Sequence, residues 1–245
     1  MEFTFGIITN GSNDNFINII IDSIEQNNIP NYEIIIVGNS NVNRENTTIL
    51  FFDESIKKAW ITRKKNIIVE NAKYENLVLL HDYVRFNSDW YDGFLKYGND
   101  FDWCITRILT VDGSRFRDYT LFPYKVDYLN IDYSCADINS YFYNNCLLPY
   151  DFINNAKVNK YMYISGTYFV IKRNIALKHK LDENLLHDRG EDVEYSKRLN
   201  DNNIIIKCNQ YSSVSFLKEK VKQFWENQIS DEAVSFLNNW CDSNE

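Results

Sequence analysis

His81 and Asp82 directly follow an apolar run, at a position that suits them to ligand binding. Every residue of Leu77–Leu80 is apolar, which is the pattern of a strand buried on both faces of a parallel sheet. In open α/β sheets, ligands bind beyond the carboxyl ends of the strands. The sequence therefore predicts that Asp82 contacts a nucleotide phosphate or a metal ion bound to it.

A second acidic pair, Glu191 and Asp192, follows Gly190 and is predicted to open a helix. A positioned carboxylate can take the proton from an attacking hydroxyl group, which is general-base catalysis. Acidic residues are also common at helix starts because the helix dipole favours them there, so a purely structural role stays open. Together with Asp82, this pair favours an enzyme that brings a donor and an acceptor together.

Polar residues also follow two other predicted strands. One strand, Phe3–Thr9, leads into Asn10, and another, Tyr32–Val37, leads into Asn39. Apolar residues at helical spacing lie between these strands, so the three elements are predicted to form a right-handed βαβ unit. The ends of both strands should therefore meet the end of Leu77–Leu80 at one edge of the sheet.

Apolar spacing and turn residues predict the remaining elements. The predicted helices are Asn15–Gln26 with Asp14 as its N-cap, Thr62–Ala72, Trp90–Tyr97, Glu191–Leu199 and most of Phe216–Trp240. The other predicted strands are Ile49–Phe52, Asn76–Leu80, Phe101–Val111 with a hairpin turn at Asp112-Gly113, Tyr161–Lys172 and Asn203–Cys208. Between Arg115 and Lys160 the periodicity fades and aromatic residues are frequent, which predicts an irregular acceptor-binding region.

The composition argues against several classes of protein. A net charge of −8 speaks against nucleic acid as a partner, because nucleic-acid binding needs a basic surface. No segment reaches the roughly 18 to 20 apolar residues of a transmembrane span, and MEFTFGIITN begins as a strand without a basic region or a cleavage site. We therefore expect a cytoplasmic location. The 5 cysteines are scattered and lack metal-ligand spacing, so we expect reduced thiols.

Several segments occur in an order that resembles the GT-A glycosyltransferases, and specifically the inverting glycosyltransferase family 2. They are FGIITNGS, YEIIIVGNSN, TRKKNIIVENAKYENLVLLHDYV, SGTYFVIKR and GEDVEYSKRL, all within 1–100 and 161–200. The resemblance implies an α/β fold: a single Rossmann-like GT-A domain with a mainly parallel sheet flanked by helices. Residues 1–100 would bind the nucleotide sugar, 101–215 would hold the acceptor and the catalytic residues, and 216–245 would form a helical tail.

The resemblance also implies which residues contact the nucleotide donor: Thr9, Asn10, Asn39, Arg63, Lys65, His81 and Asp82. Thr9 and Asn39 would contact its base and ribose, and the basic run 63–65 would lie near its diphosphate. Asp82 takes the place of the last aspartate of the family's D-x-D motif, which binds a divalent metal ion, Mn²⁺ or Mg²⁺. On the acceptor side, Asp192 takes the general-base role, with Glu191 beside it.

Two positions depart from the family's pattern. The D-x-D motif reads Leu80-His81-Asp82, so its first aspartate is absent, and Gly38 stands where an acidic residue often ends the second strand. The first change bears on metal affinity, and the second on the identity of the base. His81 could replace the missing ligand, or it could be a hydrogen-bonded structural residue.

These features predict transfer of a sugar, with a UDP-sugar favoured as donor, to a hydroxyl group of a glycan or glycoconjugate, with inversion. Neither G-x-G-x-x-G nor G-x-x-x-x-G-K-[ST] follows a strand, so the dinucleotide and P-loop fingerprints are absent. Two alternatives stay open. One is a nucleotidyltransferase that makes the sugar nucleotide, although TNGSNDN lacks the basic residues of a phosphate loop. The other is a non-catalytic glycan-binding module derived from a transferase.

Overall fold

The computed structural model describes residues 1–121, 125–126, 131–132, 147–148, 150–154, 159, 162–185 and 190–220. The helices are α1 (Asp14–Gln26), α2 (Ile61–Asn71), α3 (Trp90–Tyr97), α4 (Arg173–Lys178) and α5 (Glu191–Asp201), with a 3₁₀ turn at Tyr150–Asn154. The strands are β1 (Glu2–Ile8), β2 (Asn31–Val37), β3 (Thr47–Leu50), β4 (Asn76–His81), β5 (Val84–Phe86), β6 (Trp103–Leu109), β7 (Tyr119–Leu121), β8 (Lys125–Val126), β9 (Ile131–Asp132), β10 (Met162–Ile164), β11 (Tyr168–Lys172) and β12 (Ile206–Phe216). No helix in the described ranges is long and apolar enough to cross a membrane.

One mixed sheet organises the fold, with its 8 strands in the order β3-β2-β1-β4-β11-β6-β12-β5. The strands β3, β2, β1 and β4 are parallel, and β11 is antiparallel to both β4 and β6. β12 runs parallel to β6 and antiparallel to β5. The predicted α/β fold is confirmed: pairing is parallel in the N-terminal half of the sheet and mixed in the other half.

The central strands β1 and β4 are buried on both faces. Phe3 and Phe5 of β1 pack into a cluster with α1 and α3, whereas Leu77 and Leu79 of β4 pack into a cluster with α2 and α5. All of these side chains are fully buried, and each contributes about 1.5 to 3 kcal/mol to stability. These two layers explain the uninterrupted apolar run of β4 and fix the positions of the residues that follow both strands.

Asp14 lies in the first turn of α1, so its predicted role as N-cap is wrong. Asn13 occupies the cap position and makes no side-chain capping bond. The Asp14 carboxylate instead accepts hydrogen bonds from Ser40 Oγ (2.7 Å) and from the backbone N–H of Asn41 (3.1 Å). It therefore ties the loop after β2 to α1.

The prediction of a single strand over Tyr161–Lys172 is also wrong. β10 pairs with β7 in a separate two-stranded sheet, whereas β11 lies between β4 and β6 in the main sheet. The segment Ser165-Gly166-Thr167 carries the chain from one sheet to the other. The apolar run gave no sign of this change because both strands are buried.

The last described strand is longer than predicted. β12 continues past Cys208 to Phe216, with an irregularity between Asn209 and Ser213. The start of the predicted helix Phe216–Trp240 therefore belongs to a strand. The rest of that helix lies beyond 220, outside the described residues.

The predicted irregular region, Arg115–Lys160, is described only in part, and most of its aromatic residues lie outside the described ranges. At its start, Arg115 pairs with the fully buried Asp118, with 2.9 Å between Nε and Oδ2. The guanidinium of Arg115 also stacks over the Tyr150 ring at 3.6 Å from the centroid. This ion pair anchors the beginning of the region to the 3₁₀ turn.

Gly38, at the end of β2, has no room for a side chain. Its φ is +141°, and an added Cβ would lie 2.1 Å from the carbonyl oxygen of Thr9. An acidic residue therefore does not fit this backbone, which accounts for the departure at this position. Gly113 contrasts with it, because its φ is +83° but nothing lies within 4 Å of an added Cβ.

We expect Gly38→Ala to lower the free energy of unfolding by about 2 to 4 kcal/mol, because it adds steric overlap to backbone strain. Gly113→Ala adds the strain alone and should lower it by about 1 kcal/mol. Urea denaturation of both variants measures the difference. Equal losses in the free energy of unfolding would show that a side chain at position 38 does not overlap with the Thr9 carbonyl.

Candidate active site

A cleft of about 500 Å³ opens at the carboxyl edge of β1 and β4. Ile8 and His81 are partners in the β1–β4 register, so the residues that follow these strands lie side by side. Other walls come from the loop before α1, the start of α2 and the chain after β12. Its polar and charged lining includes Thr9, Asn10, Lys64, Asp82, Lys218 and Lys220. The volume is in the range of small-molecule sites.

Asp82 presents a buried carboxylate to this cleft, with 7% of the residue exposed. Its Oδ2 accepts hydrogen bonds from Thr9 Oγ1 (2.7 Å) and Asn13 Nδ2 (3.1 Å). Its Oδ1 accepts no hydrogen bond from the residues that the structure describes. One oxygen therefore holds the carboxylate in place, and the other remains for a ligand.

The basic residues that open α2 point in different directions, because neighbouring helix residues are about 100° apart. Lys64 lines the cleft, where its Nζ donates to the Thr9 carbonyl (2.7 Å) and forms an ion pair with Glu54. Arg63 lies outside the cleft and pairs with Glu183 at 3.1 Å. The structure thus brings Lys64, and not Arg63, to the predicted donor side.

Lys65 belongs to the acidic pair instead of the cleft. It is fully buried, and its Nζ donates to the Gly166 carbonyl at 2.6 Å. Burial lowers the pKa of its ammonium group, while the charges of Glu191 and Asp192 act in the opposite direction. The buried amine of Lys65 is therefore within electrostatic range of the two carboxylates.

Helix α5 begins against the connection between β10 and β11. Asp192 Oδ2 accepts a hydrogen bond from the backbone N–H of Gly166 (3.0 Å), and Oδ1 accepts one from Val193 N–H (2.9 Å). An added Cβ at Gly166 would lie 3.0 Å from the Asp192 Cβ and 3.2 Å from Glu191 Oε1. Asp192 therefore has the structural role that the sequence left open, and these bonds also fix its position.

Tyr83 connects the acidic pair with the cleft. The backbone N–H of His81 donates to the Thr167 carbonyl (3.1 Å), so the start of β11 borders the end of β4. Tyr83 lines the cleft, and burial raises the pKa of its phenol. A hydrogen bond with Thr167 and the charge of Lys218 act against this rise in the pKa, and the charges of Asp82 and Glu191 add to it. The phenol is therefore a neutral hydrogen-bonding group whose pKa responds to both carboxylate sites.

The structure brings together only part of the predicted donor set. The predicted residues that line the cleft are Thr9, Asn10, His81 and Asp82. Asn39 is exposed in the loop after β2, and its carbonyl oxygen packs against Gly11. Glu191 and Asp192 are outside the lining of the cleft and pack against Gly166, so their catalytic role stays a prediction.

Sequence reasoning missed four residues that the geometry adds to the cleft: Asn13, Tyr83, Lys218 and Lys220. Asn13 and Tyr83 adjoin predicted strand ends, so extending each strand end by a few residues would have found them. Lys218 and Lys220 follow β12 in a stretch predicted to be helical, so the sequence carried no signal that places them here.

The described residues offer few ligands for a metal ion. Among them, no three His, Cys, Asp or Glu side chains lie close enough together to hold a metal by themselves. Mg²⁺ commonly binds through one or two carboxylates and takes its other ligands from substrate phosphates and water. Asp82 therefore fits an ion that arrives with phosphates, and not a preformed metal centre.

The solved structures with a similar fold include glycosyltransferases. GalNAc-T7, in a crystal structure with UDP, GalNAc and Mn²⁺, matches with a TM-score of 0.59 and 12% identity over 94% of this chain and 45% of that chain. Residues 1–349 of S. aureus TarS match with a TM-score of 0.51 and 9% identity over 98% of this chain and 64% of that chain. A second S. aureus TarS structure matches with a TM-score of 0.52 and 10% identity over 98% of this chain and 39% of that chain.

These matches show the fold, which is of the GT-A type, as predicted. The chain spans less than two thirds of the length of each of these proteins. No protein-family model and no curated protein matches the sequence. Membership of inverting family 2 therefore stays a prediction.

Proposed function

We propose that the protein is a glycosyltransferase that transfers a sugar from a nucleotide donor to a hydroxyl group of a glycan acceptor. The observation that carries the proposal is the cleft at the carboxyl edge of β1 and β4, which joins Asp82 and Lys64 and borders the Glu191–Asp192 pair. The fold shared with GalNAc-T7 supports the proposal, and the UDP in that structure favours a UDP-sugar as donor.

The donor would bind with its diphosphate in the cleft. The Lys64 ammonium lies within this cleft and is itself nearly buried, so it would offer the phosphates a positioned hydrogen-bond donor, with its charge partly offset by Glu54. Thr9 and Asn10, which also line the cleft, would contact the nucleoside, and Tyr83 would lie between the diphosphate and the acceptor side.

The acceptor hydroxyl would attack the anomeric carbon while the bond from that carbon to the diphosphate oxygen breaks. Asp192 would take the hydroxyl proton as general base, and the nucleoside diphosphate would leave with the bonding electrons. Attack opposite the leaving group inverts the anomeric carbon. Glu191, held beside Asp192 by the close approach to Gly166, would orient the acceptor.

A divalent metal ion, Mn²⁺ or Mg²⁺, would be held by Asp82, with His81 as a neighbouring candidate ligand. When bound, such an ion neutralises the charge that develops on the leaving diphosphate. The protein's own share is to hold the Asp82 carboxylate through Thr9 and Asn13 before the ion and the donor arrive.

A glycan-binding module without catalysis is the second candidate. It is favoured by one observation, namely that both oxygens of Asp192 already accept backbone hydrogen bonds at the helix start. Fold alone does not separate the two functions, since one fold hosts both enzymes and binding proteins.

The identity of the products tests the proposal. The protein is incubated with nucleotide sugars and oligosaccharide acceptors. Phosphorus NMR should then show a nucleoside diphosphate as product, and mass spectrometry should show an acceptor lengthened by one sugar. A sugar 1-phosphate as product would instead support the nucleotidyltransferase alternative. Binding of acceptors without any turnover would support the glycan-binding module.

Lys65 provides a further test of the catalytic side. Lys65→Met removes the hydrogen bond from Nζ to the Gly166 carbonyl, and the Gly166 N–H is the group that binds Asp192 Oδ2. Asp192 would then be held less firmly, so the rate of sugar transfer should fall by about ten- to 100-fold while UDP binding stays close to that of the parent. Lys96→Met, at a lysine that packs on Tyr211, is the control and should leave both unchanged. A parent-like rate in Lys65→Met would show that the buried lysine does not position Asp192.

A further inference from the structure

The chain that leaves β12 forms part of the lining of the cleft. The backbone N–H of Leu217 donates to the Tyr83 carbonyl at 2.8 Å, directly beyond the β12–β5 pairing. Lys218 and Lys220 then place their Nζ atoms 4.1 and 4.5 Å from the centroid of the Tyr83 ring. Both lysines line the cleft, so this segment supplies a wall that neither β1 nor β4 provides.

Positively charged residues are concentrated in the cleft, although the whole chain has a net charge of −8. Its lining contains three lysines, Lys64, Lys218 and Lys220, and one carboxylate, Asp82. Glu54 pairs with Lys64, so Lys218 and Lys220 supply most of the positive charge that a ligand would meet. Lys218 and Lys220 contact the same tyrosine ring, which keeps two positive groups close to each other.

We propose that Lys218 and Lys220, together with Lys64, bind the diphosphate of the donor and give nucleoside diphosphates affinity for the cleft without a divalent metal. The inference rests on the proposed function. A diphosphate carries several negative charges on adjacent phosphates, and three ammonium groups on two sides of one cleft match that distribution. Tyr83 positions both lysines through cation–π contacts and keeps them directed at the cleft.

Isothermal titration calorimetry in EDTA tests the inference with UDP, inorganic pyrophosphate and uridine as probes. Lys218→Gln and Lys220→Gln should each weaken the binding of UDP and of pyrophosphate by about tenfold. The double variant should weaken it by about 100-fold. Uridine, which has no phosphate, should bind all forms equally. Lys96→Gln is the matched control, since its Nζ lies 3.8 Å from the Tyr211 ring centroid away from the cleft; it should bind like the parent.

The outcomes separate the inference from the proposed function. Parent-like binding of UDP and pyrophosphate by the double variant in EDTA would overturn the inference. A parent protein that binds UDP with Mn²⁺ but not in EDTA would also overturn it, while leaving the glycosyltransferase proposal in place. A parent that binds no UDP under either condition would overturn both.

Discussion

Asp192→Asn should lower the rate of sugar transfer by about 10² to 10⁴, because it removes the proposed general base. Binding of UDP should stay close to that of the parent, since Asp192 does not line the cleft. The variant should also fold. The asparagine side-chain oxygen can accept one of the two backbone hydrogen bonds that Asp192 accepts, from Gly166 or from Val193. Steady-state kinetics with the identified donor, combined with thermal denaturation, measures both effects.

Glu191→Gln is the matched control for this experiment. It removes the same charge from the adjacent position of α5, but neighbouring helix residues point about 100° apart, so the two acids do not share one role. Glu191→Gln should therefore keep more activity than Asp192→Asn. A parent-like rate in Asp192→Asn would rule out Asp192 as the base, and with it the proposed inverting mechanism.

Asp82→Asn should have opposite effects on nucleoside diphosphate binding with and without metal. With Mn²⁺ present, UDP should bind at least tenfold more weakly, because the carboxylate proposed to hold the ion is lost. In EDTA, UDP should bind as well as or better than it does to the parent, because a negative charge next to the diphosphate is removed. The asparagine oxygen can still accept the Thr9 hydroxyl, so the fold should persist.

Calorimetry under the two conditions measures this reversal. Asp100→Asn is the control and should behave like the parent under both conditions. Asp100 is fully exposed and contacts Lys207, and neither residue lines the cleft. A uniform loss of UDP affinity with and without Mn²⁺ would mean that Asp82 acts by shaping the cleft and not by holding a metal ion.

The basic run that opens α2 shows how far the sequence could predict the site. Three consecutive basic residues indicated a positive group near the strand ends, and Arg63 and Lys65 were the ones expected to contact the donor, but only Lys64 lines the cleft. Their sequence does not say which one faces the cleft, because that depends on how α2 is rotated against the sheet. In the structure Lys64 faces Thr9, whereas Lys65 is buried under the acidic pair and Arg63 points to Glu183.

Long-range pairing limited the prediction of the fold in the same way. The strands β1, β2 and β4 were predicted nearly to the residue, since their apolar runs are buried by adjacent helices. The split of Tyr161–Lys172 between two sheets depends on which strands it pairs with, and local periodicity does not contain that information. Lys218 and Lys220 reach the cleft only because β12 pairs with β5.

Release of nucleoside diphosphate from a panel of nucleotide sugars, with and without Mn²⁺ and in the presence of oligosaccharide acceptors, tests the central claim most directly. The account predicts acceptor-dependent release from one donor class by the parent protein and its loss in Asp192→Asn. A folded parent protein that binds UDP in the cleft but releases nothing from any donor would contradict the account, and a glycan-binding module would then describe the molecule better.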